Sequence, residues 1–223
     1  MARRRAIIRK LPAVEALGCT TVICSDKTGT LKQNQMTVQQ IVASSVEYNV
    51  IGSGYTPTGQ IVPGNNAPTN NIALTECLTA GLLCNDSALD EKEGPWQAQG
   101  DPTEVALIVA ARKAQIDASL QRLDTIPFES QHRYMATLHT IGSTRRIYVK
   151  GAVEVLLERC GDVLDAAGQS IALDQAQIHR VLPLDMVQNS MIAFDSLQKD
   201  SRSDFMDWNS LFLGLYLTIH LGA

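Results

Sequence analysis

Residues 22–31 read Val22-Ile23-Cys24-Ser25-Asp26-Lys27-Thr28-Gly29-Thr30-Leu31, and this stretch sets the fold class. Apolar and β-branched residues from Thr20 to Cys24 give way to a carboxylate and then to a Gly/Thr turn. A short apolar run bounded by turn residues predicts a buried strand of a parallel sheet. Open α/β sheets place their ligands at the carboxyl ends of such strands, so Asp26 stands where a reactive group belongs. A carboxylate there can attack phosphorus and form an aspartyl phosphate. The hydroxyls and amides of Thr28, Gly29 and Thr30 can cradle the phosphoryl oxygens, and Lys27 adds positive charge. The plainer reading makes Asp26 the cap of a polar turn.

Working outward, the full string SDKTGTL resembles the phosphorylation signature of the P-type cation-transporting ATPases. The longer run KLPAVEALGCTTVICSDKTGTLKQNQMTV is similar to the calcium-ATPase branch of that family. The resemblance implies that Asp26 is a phosphorylated nucleophile served by Lys27 and Thr28, and that Asp26 and Thr28 lie at a Mg²⁺ site. Lys32 departs from the pattern, standing where the family usually has Thr. Related haloacid-dehalogenase-type phosphatases carry an acid/base Asp at the position of Thr28. Threonine cannot serve as that acid or base at neutral pH, which would slow hydrolysis and preserve a phosphoenzyme.

The 223 residues suffice for one large or two small domains, and 45% hydrophobic with 19% charged residues is ordinary for a globular chain. A net charge of −4 argues against general nucleic-acid binding. Five cysteines, an odd number without framework spacing, fit a reducing compartment, and Cys19 and Cys24, on or near the predicted strand, read as buried free thiols. No apolar run approaches the roughly 18–20 residues of a membrane helix; Leu211–Ala223, the longest candidate, is short and carries His220. The basic lead Met1-Ala2-Arg3-Arg4-Arg5 fits a cytoplasmic juxtamembrane segment better than a transit peptide.

A short helix is predicted over 12–17. Near Met36 the pattern changes to short β-rich segments, with turn signals from Gly52 to Gly64. Asn71 is placed to cap a core helix over 72–84, followed by a loop over 85–99. In Asp101-Pro102-Thr103-Glu104 an N-cap, a first-turn proline and a capping-box acid open a helix that runs to about Ala114. Strands over 134–141 and 145–150 form a hairpin across Gly142-Ser143-Thr144, and a helix follows over 153–159. Beyond it a weak helix over 178–188 precedes strands over 191–194 and 211–215.

Glu104, Phe128 and Lys150 each admit two readings from the residues alone: cap or ligand, core or stacking face, solvated strand end or binding group. The resemblance implies the second of each pair. GDPTE resembles a nucleotide-domain motif whose Glu, here Glu104, meets the adenine end of ATP. Phe128 and Arg133, where the family commonly has Lys, line the adenine pocket, and Met135 packs beside the base. Tyr148-Val149-Lys150-Gly151-Ala152 is a third signature, with Lys150 and Gly151 at the nucleotide. The chain contains neither a Walker A loop nor GxGxxG.

The expected fold is α/β: an α+β nucleotide-binding domain with an antiparallel sheet and flanking helices, plus a partial haloacid-dehalogenase-like phosphorylation domain. Expected boundaries are 1–37 for the juxtamembrane lead and part of the phosphorylation domain, 38–207 for the nucleotide-binding domain, and 208–223 for a return strand. The resemblance implies ATP and Mg²⁺ as cofactors and a pump whose membrane and transport helices are partners, at the cytoplasmic face. The family's TGD and GDGxNDxP segments do not occur in this sequence. The expectation is therefore a truncated piece that binds ATP without turnover. The alternative is a catalytically inactive ATP-binding module that regulates a full-length pump by contact.

Overall fold

The computed structural model describes residues 21, 35–65, 68, 70–91, 96–173, 190–196, 211–213 and 216–221. The Asp26 stretch and the helices expected over 12–17 and 178–188 lie outside them. The chain divides into two compact units, 1–33 with 223, and 34–222; every described residue except Thr21 belongs to the second.

Turn chemistry cuts this second unit into short strands. β1 (Met36–Ala43) and β2 (Val46–Ile51) are joined by Ser44 and Ser45, both at positive φ, and β3 (Gln60–Pro63) pairs with β2. Helix α1 (Ile72–Leu83) starts at Asn71, whose side chain accepts from the Leu74 amide at 3.2 Å. The same side chain donates to Tyr48 Oη at 2.7 Å and to Ser44 Oγ at 2.9 Å, so the cap also pins the helix to the β1–β2 hairpin.

The predicted loop over 85–99 holds a small two-stranded sheet instead, β4 (Ala88–Glu91) with β5 (Trp96–Gln99). Helix α2 (Pro102–Lys113) is capped by Asp101 as expected. Every residue from Val105 to Ala111 is buried. A helix apolar all round must be covered all round. Leu107 and Ala110 pack with α1 and the main sheet, while Val105, Ile108 and Val109 pack with Leu89 and Trp96 of the small sheet.

Next come β6 (Arg122–Ile126), β7 (Tyr134–Ile141) and β8 (Thr144–Ala152). The β7–β8 hairpin is the predicted one, its turn reduced to Gly142-Ser143, with Gly142 at φ 61°. A short α3 (Val153–Leu157) follows, then β9 (Cys160–Leu164) and β10 (Ser170–Ala172). Backbone alone is described for β11 (Ser190–Ser196), β12 (Leu211–Leu213) and β13 (Tyr216–Leu221).

The strands assemble into one 11-stranded sheet among the described residues. One edge of β11 pairs with β8, which continues through β7 to β6. Its other edge pairs with β13, leading to β1, β2 and β3, and with β12, leading to β9 and β10. All pairings are antiparallel except β12 with β9. The sequence reading sends 208–223 toward the phosphorylation domain; here β12 and β13 pair within this sheet.

Two cores lie on the two sides of the hairpin. Met135 and Tyr148 belong with α1, α2 and β1, whereas Ala136, Leu138, Ile147 and Val149 belong with α3. Among the described residues Cys77 and Cys84 are buried free thiols and Cys160 is half-buried; Cys19 and Cys24 lie outside them. Burial pushes the Cys84 thiol up to about 11 and the Cys160 thiol up to about 12, which keeps both protonated at neutral pH.

Candidate functional site

Alternation along β8 decides where Lys150 goes. Tyr148 faces the helices, and side chains two apart share a face of a strand, so Lys150 faces them too, opposite Met135 on β7. With β7 and β11 on either side, this is no solvated strand end: Lys150 is 2% exposed. The plainer reading of Lys150 as a solvated strand end does not hold, because a partner distant in sequence keeps it inside. Lys150 Nζ pairs with Glu104 Oε1, whose side chain is itself only 15% exposed.

Glu104 sits in the first turn of α2, where the helix dipole favours a carboxylate. It does not close the expected capping box. Asp101 Oδ1 accepts from the Thr103 amide at 2.8 Å and the Glu104 amide at 3.3 Å. The return bond is missing, because the Asp101 amide donates to Ser87 Oγ at 2.9 Å. Ser87 Oγ donates to Glu104 Oε2 at 2.8 Å, and the Asp86 amide donates to the same oxygen at 3.2 Å. The carboxylate therefore reaches away from its own helix end, toward the sheet.

Met135 is 1% exposed, and its carbonyl accepts from the Cys84 thiol at 3.5 Å. Gly151 stands opposite Tyr134. A Cβ on Gly151 would lie 2.5 Å from the Arg133 carbonyl oxygen and 2.7 Å from Tyr134 Cα. Only glycine lets the two strands close there, and the Ala152 amide then donates to the Arg133 carbonyl at 2.9 Å. The room that a side chain at position 151 would need is taken by the chain's own backbone.

Phe128 and Arg133 belong to the connection between β6 and β7, at the end of the hairpin that carries Met135, Lys150 and Gly151. Phe128 is 57% exposed, so it is not core. Arg133 closes a turn by donating its amide to the Glu129 carbonyl at 2.7 Å, and does so at φ 59°. Its guanidinium pairs with Glu154 at the surface. The structure thus brings Glu104, Met135, Lys150 and Gly151 together and sets Phe128 and Arg133 at their margin. Asp26, Lys27 and Thr28 lie outside the described residues.

A separate cavity of about 610 Å³ is lined by Tyr48, Asn71, Leu78, Lys113, Gln115 and Ile116, among others. None of the predicted site residues lines it. Burial lowers the pKa of Lys113, whose Nζ donates to the Gly52 carbonyl at 2.8 Å. Sequence reasoning missed Ser87 and Asn85, both fixed by contacts that leave no local pattern.

The Glu104–Lys150 pair, with Phe128 and Arg133 at its margin, falls within a stretch that a family model matches. The profile of the P-type ATPase cytoplasmic domain N matches residues 73–188, and this chain belongs to the P-type ATPases. Its relatives fall in the cation- and calcium-transporting branch. It is 45% identical over 229 residues to the cation-transporting ATPase pma1 of Synechocystis sp., covering 96% of this chain and 25% of that protein. It is 38% identical over 167 residues to a calcium-transporting ATPase of Bacillus subtilis, covering 71% and 19%. With calcium-transporting ATPase type 2C member 1 of Mus musculus it shares 37% over 187 residues, covering 79% and 20%. The chain spans about a quarter or less of the length of these relatives. No helix among the described residues is long and apolar enough to cross a membrane.

Proposed function

We propose that this chain supplies the ATP-binding part of a cation pump, at the cytoplasmic face of a membrane whose transport helices are its partners. ATP is the substrate; its adenine end meets Glu104 and Phe128, with Met135 packed beside them, and Lys150 and Arg133 supply positive charge. Gly151 contributes by closing the hairpin that carries Arg133 and Lys150. The observation that carries this reading is the convergence of the DPTE and VKGA segments on the Glu104–Lys150 pair.

The parts suit the ligand. An exposed phenyl ring offers a face for a purine, and guanidinium and ammonium groups hold phosphate oxygens. Mg²⁺, when bound, would neutralise phosphate charge. The resemblance of SDKTGTL to the family's phosphorylation signature assigns that ion to Asp26 and Thr28, with Asp26 as the group that takes the phosphoryl.

Chemical labelling tests the assignment. An amine-reactive adenine nucleotide analogue is expected to modify Lys150, identified by peptide mapping, and ATP is expected to protect it. Modification of Lys113 with Lys150 spared, or labelling of Lys150 that ATP fails to block, would contradict the proposal.

A further inference from the structure

Ser87 lies at the centre of a network that the nucleotide reading does not use. After α1 the chain turns through Cys84–Ser87 before β4, and this turn is held from several sides. The Arg122 guanidinium donates to the Leu83 carbonyl at 3.1 Å and to the Asn85 carbonyl, and it pairs with Asp86 at 2.7 Å. Asn85 is 6% exposed; its amide group donates to the carbonyls of Gly81 at 3.2 Å and Glu104 at 2.9 Å. Asn85 Oδ1 accepts from the Ser87 amide at 2.8 Å. Gly100, at φ 107°, is packed so closely on this turn that a Cβ there would lie 2.2 Å from Ser87 Oγ.

The consequence falls on Glu104. At a helix start of this sequence the carboxylate at the third helical position ordinarily returns to the N-cap amide. Ser87 Oγ takes that amide and passes its own hydrogen to Oε2, beside the Asp86 amide. Oε2 is thereby occupied, and Oε1 is the oxygen turned to Lys150.

We propose that Ser87 is a positioning residue of the nucleotide site: it holds Glu104 Oε2 while Lys150 holds Oε1, so that the carboxylate presents a fixed acceptor to the base and favours adenine over guanine. The inference rests on the assignment of Glu104 to the base end of ATP. An ionised carboxylate only accepts hydrogen bonds. Adenine presents an amino donor at the position where guanine presents a carbonyl acceptor. A fixed carboxylate discriminates between the two; one free to rotate back to the Asp101 amide discriminates less.

Calorimetric titration of ATP and GTP into the whole chain tests this with Ser87→Ala, Glu104→Ala and the double variant, each checked by urea denaturation. Ser87→Ala is expected to weaken ATP about three- to tenfold, the size of one hydrogen bond, and GTP by less than about twofold. In the Glu104→Ala background it is expected to add nothing, as for two residues acting through one group. Should Ser87→Ala lose the fold, Ser87→Thr and Ser87→Val carry the comparison, being alike in shape and different in the hydroxyl. Equal losses for ATP and GTP, or a loss that adds to that of Glu104→Ala, would overturn the proposal. So would an unchanged ATP affinity in Ser87→Ala while Glu104→Ala weakens binding. If Glu104→Ala itself binds ATP as the parent chain does, the base assignment fails and the role of Ser87 goes with it.

Discussion

The two halves of the candidate site are built by opposite means. Glu104 and Lys150 meet in the interior, with side chains 15% and 3% exposed, and each atom of the carboxylate has a partner. Phe128 and Arg133 stand on a surface connection, one ring exposed and one guanidinium paired with a surface carboxylate. Charge buried with a full set of partners is fixed before any ligand arrives, and losing one partner strands the other. Groups at the surface stabilise the fold little and are free to act on a ligand. Mutations should therefore separate the halves: damage to the first is read in stability as well as in binding, and damage to the second in binding alone.

Lys150→Ala should give the largest loss of stability, about 3 kcal/mol by urea denaturation, because it leaves Glu104 unpaired in a mostly buried place. Adding Glu104→Ala should recover part of it. A loss below about 1 kcal/mol would mean that water already serves the pair and that the two halves do not differ as described.

Gly151→Ala should cost about 1–3 kcal/mol, the usual range for overpacking, since the new methyl meets the backbone of Arg133 and Tyr134. A neutral result would show that the hairpin opens there without strain. Breaking the Arg133–Glu154 pair by Glu154→Gln should change stability by less than about 1 kcal/mol, and the effect should fade in high salt. Phe128→Ala should have the smallest effect on stability, within about 0.5 kcal/mol, as befits an exposed side chain. A larger loss would make Phe128 part of the packed half.

Much of the scaffold was legible where local chemistry writes it. Asn71 and Asp101 announce their helices as caps, and alternation across Gly142 announces the β7–β8 hairpin. The strands over 88–91 and 96–99 were not legible: ALDE and WQAQ offer one or two apolar residues each, too few to show a period, and they exist because α2 needs cover. In β9, Cys160–Leu164, a glycine and an aspartate interrupt the pattern. The site was legible in its residues and not in their surroundings. Lys150 reads as solvated because the carboxylate that keeps it inside is 46 residues away, and Ser87 carries no mark of its tie to Glu104.

The central claim is that Phe128 acts on a nucleotide and contributes little to the fold. Titration of the whole chain with ATP by calorimetry, beside Phe128→Ala at matched stability, tests it most directly. The parent chain should bind in the micromolar-to-millimolar range, about −4 to −8 kcal/mol. Phe128→Ala should lose about 1–3 kcal/mol of that, the worth of one aromatic stack on a base. Equal affinity in the two proteins, or no binding by the parent chain at millimolar ATP, would contradict the account.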